Sequence, residues 1–148
     1  MLLGEPKPDT SSVVENYLQA FYKLNEQGIK LSVIHVAEAM GVSPATVVGT
    51  MKRMTRQGLV TMSATKEIVL TPDGEDLGQS IVRRHRLAER MLVEILKLDW
   101  HKAHREAHRL EHAISPDVED RIAHILNYPK TNPYGKPIPG YYDSIEPT

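Results

Sequence analysis

The sequence predicts a mainly α fold, an N-terminal winged helix-turn-helix followed by an all-helical domain. Three observations predict it. Apolar residues recur at helical spacing in segment after segment, with Ser, Thr or Pro at the starts and Gly at several of the stops. Past Gly41, a capped helix leads through Gly58 into two short runs rich in Val, Ile and Thr, the pattern of a hairpin that follows a helix pair. Further on, Arg83–Ala113 holds five of the seven histidines, several of them three or four positions from a glutamate or another histidine.

In Thr10–Gln27, Val13, Val14, Tyr17, Leu18, Phe21, Tyr22 and Leu24 keep a helical period after a Thr/Ser capping signal, and Gly28 ends the helix. Ile29–Met40 reads as a short strand or turn and then a helix, with Val33, Val36, Ala37 and Met40 inward and Gly41 as its stop. The next helix has Ser43 as N-cap, Pro44 at its first position and Gly58 past its end, residues favoured at those places. Two helices joined by a tight glycine turn make a helix-turn-helix. Leu59–Met62 and Glu67–Thr71, around a polar tip at Ser63–Lys66, make a β-hairpin wing.

Thr71 and Pro72 open a long connecting helix whose Asp73, Glu75 and Asp76 complement the positive end of its dipole. Its second half, with Leu87, Met91, Leu92, Ile95 and Leu98, is apolar enough to pack against another helix or another subunit. Trp100–Ala113 forms the next helix; Ser115, Pro116, Asp117 and Glu119 start the last, which ends near Asn127. Beyond it, a segment with five of the ten prolines is too irregular for helix or strand and reads as extended. The expected limits are 1–72 for a winged-helix domain, 73–140 for a helical metal-binding and dimerisation domain, and 141–148 for a tail.

With 41% apolar but only 5% aromatic residues, the core must be aliphatic, which suits packed helices. The absence of cysteine excludes disulfides and thiolate ligands and agrees with a reducing cytoplasm, the expected location. No basic and apolar leader opens the chain and no run has the length of a membrane span, so no membrane partner is expected. A net charge of -1 gives no overall sign, yet Ser43–Lys66 carries Lys52, Arg53, Arg56 and Lys66 with no acid.

Positions four apart share a helix face, which pairs His85 with Glu89 and sets His104, His108, Glu111 and His112 on one stripe of the following helix. Imidazole and carboxylate without thiolate suit Fe(II), Mn(II), Zn(II), Co(II) or Ni(II) and argue against a cysteine-held zinc. The competing account is a solvated, salt-bridged face carrying Arg83, Arg84, Arg86, Arg105 and Arg109, but such faces are built from Lys and Glu more often than from stacked imidazoles.

The segments ENYLQAFYKL, VSPATVVGTMKRMTRQGLV, RRHRLAERML, WHKAHREAHRLEHAIS and NPYGKPIPG, in this order, resemble the diphtheria toxin repressor family of iron-dependent and manganese-dependent transcription regulators, from about Val13 to Gly140. The resemblance implies a homodimer that binds operator DNA when loaded with a divalent metal and represses metal-homeostasis genes. A two-fold protein implies a pseudo-palindromic operator. By resemblance, His85, Glu89 and His104 form an ancillary metal site, and His108, Glu111 and His112 form the primary site with Asn16 of the first helix.

The sequence also departs from the family pattern. His108 stands where the iron branch has Cys and the manganese branch Glu, Asn16 where Met or Asp is usual, and Gln19 where the manganese branch has Glu. A more nitrogen-rich, less anionic site favours Fe(II), Co(II), Ni(II) or Zn(II) over Mn(II), with Fe(II) the expected metal. The longer iron regulators carry a C-terminal SH3-like domain; none is expected in residues 141–148.

If the helix from Pro44 to Gln57 enters a major groove, its first turns present Ala45, Thr46, Gly49 and Thr50, small residues that read thymine methyls and shape. Lys52, Arg53, Arg56, Lys66 and Ser43, with His35, are then the candidates for phosphate contacts. A basic winged helix also serves elsewhere as a protein-binding module.

Three functions compete. In a metal-activated repressor, the primary site reports metal to the DNA-binding half, so His108 and His112 should matter more than His85 and His104. In a winged-helix DNA-binding protein with a purely structural metal, DNA binding survives mild chelation. A metal hydrolase would use His104, His108 and His112 as ligands and Glu89 or Glu111 as general base. The chain has no H-E-x-x-H motif, Gly-rich phosphate loop or nucleophile context, so neither an enzyme nor a small-molecule substrate is expected.

Overall fold

The computed structural model describes residues 11–139, so the tail expected at 141–148 lies outside the described residues. The fold is mainly helical, as the sequence predicts: α1 (Ser12–Glu26), α2 (Val33–Met40), α3 (Pro44–Arg56), β1 (Val60–Met62), β2 (Ile68–Leu70), α4 (Pro72–Glu94), α5 (Trp100–Leu110) and α6 (Pro116–Ile125). These elements divide into two compact units, one ending at Gly78 and one beginning at Gln79. The division falls inside α4, six residues past the limit expected at 72. No helix among the described residues is long and apolar enough to cross a membrane.

The helix ends of the first unit form where the capping residues place them. Ser11, Ser32 and Ser43 each accept from a backbone N–H three positions on, at Val14, His35 and Thr46. Gly41 ends α2 in the left-handed region at φ 68°, a conformation that costs a side chain, which lets α3 start after a tight turn. The core is largely aliphatic, with Tyr17 and Phe21 as its aromatic members: Val14, Tyr17, Leu18 and Phe21 of α1, Val36 of α2, Val47, Met51 and Met54 of α3, and Ile68 of β2 are buried together. Burying each such side chain contributes roughly 1.5–3 kcal/mol.

The wing is an antiparallel pair in the register Val60↔Leu70, Thr61↔Val69 and Met62↔Ile68, extended by a bridge between Ser32 and Glu67. Its strands are a residue or two shorter than the apolar runs. Gly74 of α4 packs on the wing so closely that a Cβ there would lie 2.0 Å from the Leu59 carbonyl oxygen.

In the second unit, Leu87, Ala88 and Leu92 of α4 pack with Ala103 and Ala107 of α5, Ile122 and Ala123 of α6, and Ile114 and Ile138. The alanines are the only buried residues of α5, so its larger side chains lie on the flanks or outward. α6 is tied to α4 by an ion pair between Arg83 Nε and Glu119 Oε2 at 3.3 Å.

The expectation of an extended segment after Asn127 needs correction. Residues 130–138 fold back as a strap, with a bridge between Thr131 and Pro137 and with Asn132 and Ile138 buried. The prolines do exclude helix. The backbone finds other partners: Arg86 Nη1 donates to the Pro137 oxygen (2.7 Å), Arg90 Nη1 to the Thr131 oxygen (3.1 Å), and the Ile138 N–H to the Lys130 oxygen (2.8 Å).

Candidate metal centre and nucleic-acid interface

α4 places His85 and Glu89 one turn apart on its inner face, and both are buried. α5 carries His104 and His108 one turn apart on a flank, half or more exposed, and Glu111, its C-cap residue, is completely buried. Two groups of three side chains result, each with ligand atoms within 4.8 Å of one another: His85, Glu89 and His104, and His85, His108 and Glu111.

His85 belongs to both groups because its two ring nitrogens face different ways. Nε2 lies 3.4 Å from Glu89 Oε1 and 3.1 Å from His104 Nδ1, while Nδ1 lies 2.5 Å from Glu111 Oε2. His104 Nδ1 is 3.1 Å from Glu89 Oε2. Glu111 Oε1 lies 2.6 Å from His108 Nδ1 and 3.4 Å from His112 Nε2. Both groups expected as separate sites therefore lie against one imidazole, and His112 stands beside the second group rather than within its 4.8 Å span.

The electrostatics are those of buried anions that need a cation. Burial pulls His85 toward neutrality, but hydrogen bonds and charge from Glu111 and Glu89 outweigh it and hold its pKa above 6.5. Burial pushes Glu89 up, yet the hydrogen bond and charge of His85, with the Asn132 and His104 hydrogen bonds, bring it below 4.5. A proton on His85 thus serves as the counter-charge of these carboxylates. A divalent cation could take that place, since the donors are imidazole nitrogens and carboxylate oxygens in groups of three, with no thiolate among them. The donor set fits a divalent metal.

Other expected ligands are placed elsewhere. Asn16 lies on α1 in the first unit, and its Oδ1 is buried without a hydrogen-bond partner among the described residues. Its assignment to the metal rests on resemblance. Gln19, on the same helix, is buried. The sequence reading missed Asn132, whose Nδ2 donates to Glu89 Oε1 at 2.9 Å. The available signal was an Asn two positions before Tyr134 in a Pro/Gly turn, the place of a side chain that caps its own loop.

In the first unit, α3 turns Val47, Met51 and Met54 inward, which leaves Ala45, Thr46, Gly49, Lys52, Arg53 and Arg56 exposed and Thr50 half-buried. Ser43 is also exposed, and its hydroxyl is occupied as the α3 cap and by Thr46 Oγ1 at 2.9 Å. Lys66 is exposed at the hairpin turn with φ 63°. His35 is exposed, with its Nδ1 2.9 Å from the Lys30 oxygen.

Comparison with known proteins also gives two parts, meeting between residues 68 and 71. The family model "Iron dependent repressor, N-terminal DNA binding domain" matches residues 9–68, and "Iron dependent repressor, metal binding and dimerisation domain" matches residues 71–140. The iron-dependent repressor IdeR of Mycobacterium leprae is 41% identical over 135 residues, 91% of this chain and 59% of that protein. The diphtheria toxin repressor of Corynebacterium efficiens is 42% identical over 135 residues, again 91% of this chain and 59% of that protein.

Among solved structures, a manganese-dependent transcriptional repressor in complex with manganese superposes with a TM-score of 0.78 at 37% identity, covering 86% of this chain and 58% of that one. ScaR with bound Zn2+ gives 0.75 at 33% identity, covering 87% and 60%. The chain spans a little over half the length of these relatives. Since a DNA-binding model and a metal-binding and dimerisation model of one family match in succession, the chain belongs to the iron-dependent repressor family.

Proposed function

We propose that this chain is a metal-dependent transcriptional repressor: a homodimer that binds double-stranded, pseudo-palindromic operator DNA when a divalent metal is held by the second unit. One observation carries the reading. His85, Glu89 and Glu111 are buried, ionisable and mutually paired, with His104 and His108 completing two ligand triads at half-exposed positions from which an ion can enter. A salt-bridged surface would not bury two carboxylates around one imidazole.

His85, Glu89 and His104 would hold an ion in one group, and His108 and Glu111, with His112 beside them, in the other; neutral His85 has one free lone pair and would serve one group at a time. A bound divalent cation supplies the positive charge that these carboxylates otherwise draw from a proton on His85. The protein's part is to give up that proton and to keep Glu89 and Glu111 shielded from water. For DNA, the exposed face of α3 would present Ala45, Thr46, Gly49 and Thr50 to base edges, and Ser43, Lys52, Arg53, Arg56 and Lys66 would meet phosphates. A hundredfold preference of the metal for the DNA-binding form supplies about 2.7 kcal/mol, enough to make a minor conformer the major one.

Fe(II) is the metal we infer, because an imidazole at 108 in place of a carboxylate or thiolate favours borderline ions over Mn(II). Metal-homeostasis genes are the corresponding targets, and the cytoplasm, where the chromosome lies, the place of action. The test is selection from a random-sequence duplex pool, under anaerobic conditions, with Fe(II), Mn(II), Zn(II), Co(II), Ni(II) or chelator. The reading expects an inverted repeat enriched with metal alone, most strongly with Fe(II). Equal enrichment in chelator would mean that any metal here is structural.

A further inference from the structure

The strap supplies a part of the metal cluster that the ligand triads omit. Asn132 is only 4% exposed and uses both ends of its amide. Oδ1 accepts from the backbone N–H groups of Tyr134 (3.0 Å) and Lys136 (2.8 Å), which fixes the amide in a turn of its own making. Nδ2 donates to Glu89 Oε1 at 2.9 Å, while Glu89 Oε2 lies 3.1 Å from His104 Nδ1. Glu89 is 1% exposed, so no bulk water is at hand to orient its carboxylate.

We propose that Asn132 is a positioning residue for the Glu89 cluster: its amide fixes the plane of the Glu89 carboxylate so that this side chain and His104 meet a divalent cation preorganised. This rests on the reading of that cluster as a metal site. The choice of an amide has a physical reason. A Lys or Arg would orient the carboxylate equally well but would also neutralise it and compete with the cation, whereas a neutral donor orients the charge and leaves it available. The donor must also be rigid, and the two backbone N–H groups held by Oδ1 make it so. The strap itself is pinned by Arg86 and Arg90, and Tyr134 Oη donates to the Trp100 oxygen at 2.5 Å.

Turn-shaping and positioning can be separated because they use opposite ends of one side chain. In Asn132→Ser the hydroxyl can still accept from the turn's N–H groups but is too short to reach Glu89 as well. The measurement is Co(II) titration of the full chain in a His108→Ala background, which leaves only the Glu89 triad complete, followed through the visible absorption of the bound ion. Trp100, the single tryptophan, packs 5.6 Å from the Tyr134 ring, so its emission reports whether the strap is in place.

Asn132→Ser is expected to weaken Co(II) binding by about 10–100-fold and to alter the Co(II) band, with Trp100 emission unchanged. Unchanged Co(II) affinity would overturn the proposal and leave Asn132 a turn residue. A loss accompanied by altered Trp100 emission would overturn it in favour of strap integrity. No Co(II) binding by the His108→Ala background would overturn the metal reading of this cluster and the proposal with it.

Discussion

Around Glu89 the second unit assembles two imidazoles and an amide; around Glu111 it assembles three imidazoles. Both carboxylates are buried, and both meet His85, one at each ring nitrogen. The strap thus holds one Glu89 oxygen through Asn132, while the three imidazoles lie against Glu111. One imidazole that faces two carboxylates makes the clusters chemically linked. A change at His85 must be felt by both, while a change at His104 or His108 acts on one.

The largest effect is therefore expected from His85. His85→Ala removes the candidate ligand common to both triads, and losing a direct ligand costs more than the 10–100-fold typical of an outer partner, so metal binding should weaken by over about 100-fold. The family-based expectation gave His85 less weight than His108 because it treated the clusters as separate. Calorimetric metal titration decides: two sites retained in His85→Ala would mean that the shared imidazole is a packing contact.

Single-cluster changes should sharpen the contrast. His104→Ala should weaken binding at the Glu89 triad, and His108→Ala at the Glu111 triad, each leaving the other group's remaining candidate ligands in place. If either substitution emptied both clusters, the linkage through His85 would be stronger than the distances imply. His112 lies 3.4 Å from Glu111 Oε1 and outside the triad, so His112→Ala should cost less than His108→Ala in the same titration.

A smaller effect concerns protons. The folded pKa of His85 lies above 6.5, so its pairing stabilises the metal-free protein fully below pH 6.5 and is lost as pH rises through the folded value. The folded pKa of Glu89 lies below 4.5, so its contribution is present above pH 4.5 and is lost as pH falls through the folded value. The metal-free protein should draw most from this pair between 4.5 and 6.5. With metal the sign reverses above 6.5, because the ion needs a neutral His85. Melting curves across pH, read as the difference between wild type and His85→Gln, check it; a metal-free difference that grows as pH rises above 6.5 would contradict it.

The smallest effect lies outside both clusters. Lys52→Ala or Arg53→Ala should leave metal titration unchanged while lowering the salt dependence of DNA binding by about one unit each. A shift in metal affinity with no change in salt slope would assign these exposed side chains of α3 another task.

Much of the fold was legible because it is written in local rules. Ser43, Pro44 and Gly41 mark helix ends through their own backbone chemistry, and Val47, Met51 and Met54 reveal the inner face of α3 by spacing alone. The same spacing exposed the candidate metal ligands, since His85 and Glu89 are one turn apart. What spacing cannot give is the direction of each ring nitrogen, which depends on how α5 packs on α4, so the shared role of His85 stayed hidden. Asn132 stayed hidden for a related reason: it meets Glu89 from 43 residues away through a strap whose prolines read only as irregular.

The most direct test of metal control is duplex DNA binding, followed by fluorescence anisotropy against buffered free Fe(II), for wild type and Glu111→Gln side by side. Glu111 is fully buried beside three imidazoles, and its isosteric amide removes the charge with little change of shape. Wild type should bind an enriched operator only as Fe(II) rises and release it on chelation, while Glu111→Gln should stay unbound at every Fe(II) concentration with its helical signal intact. Equal, metal-independent binding by both proteins would contradict the account.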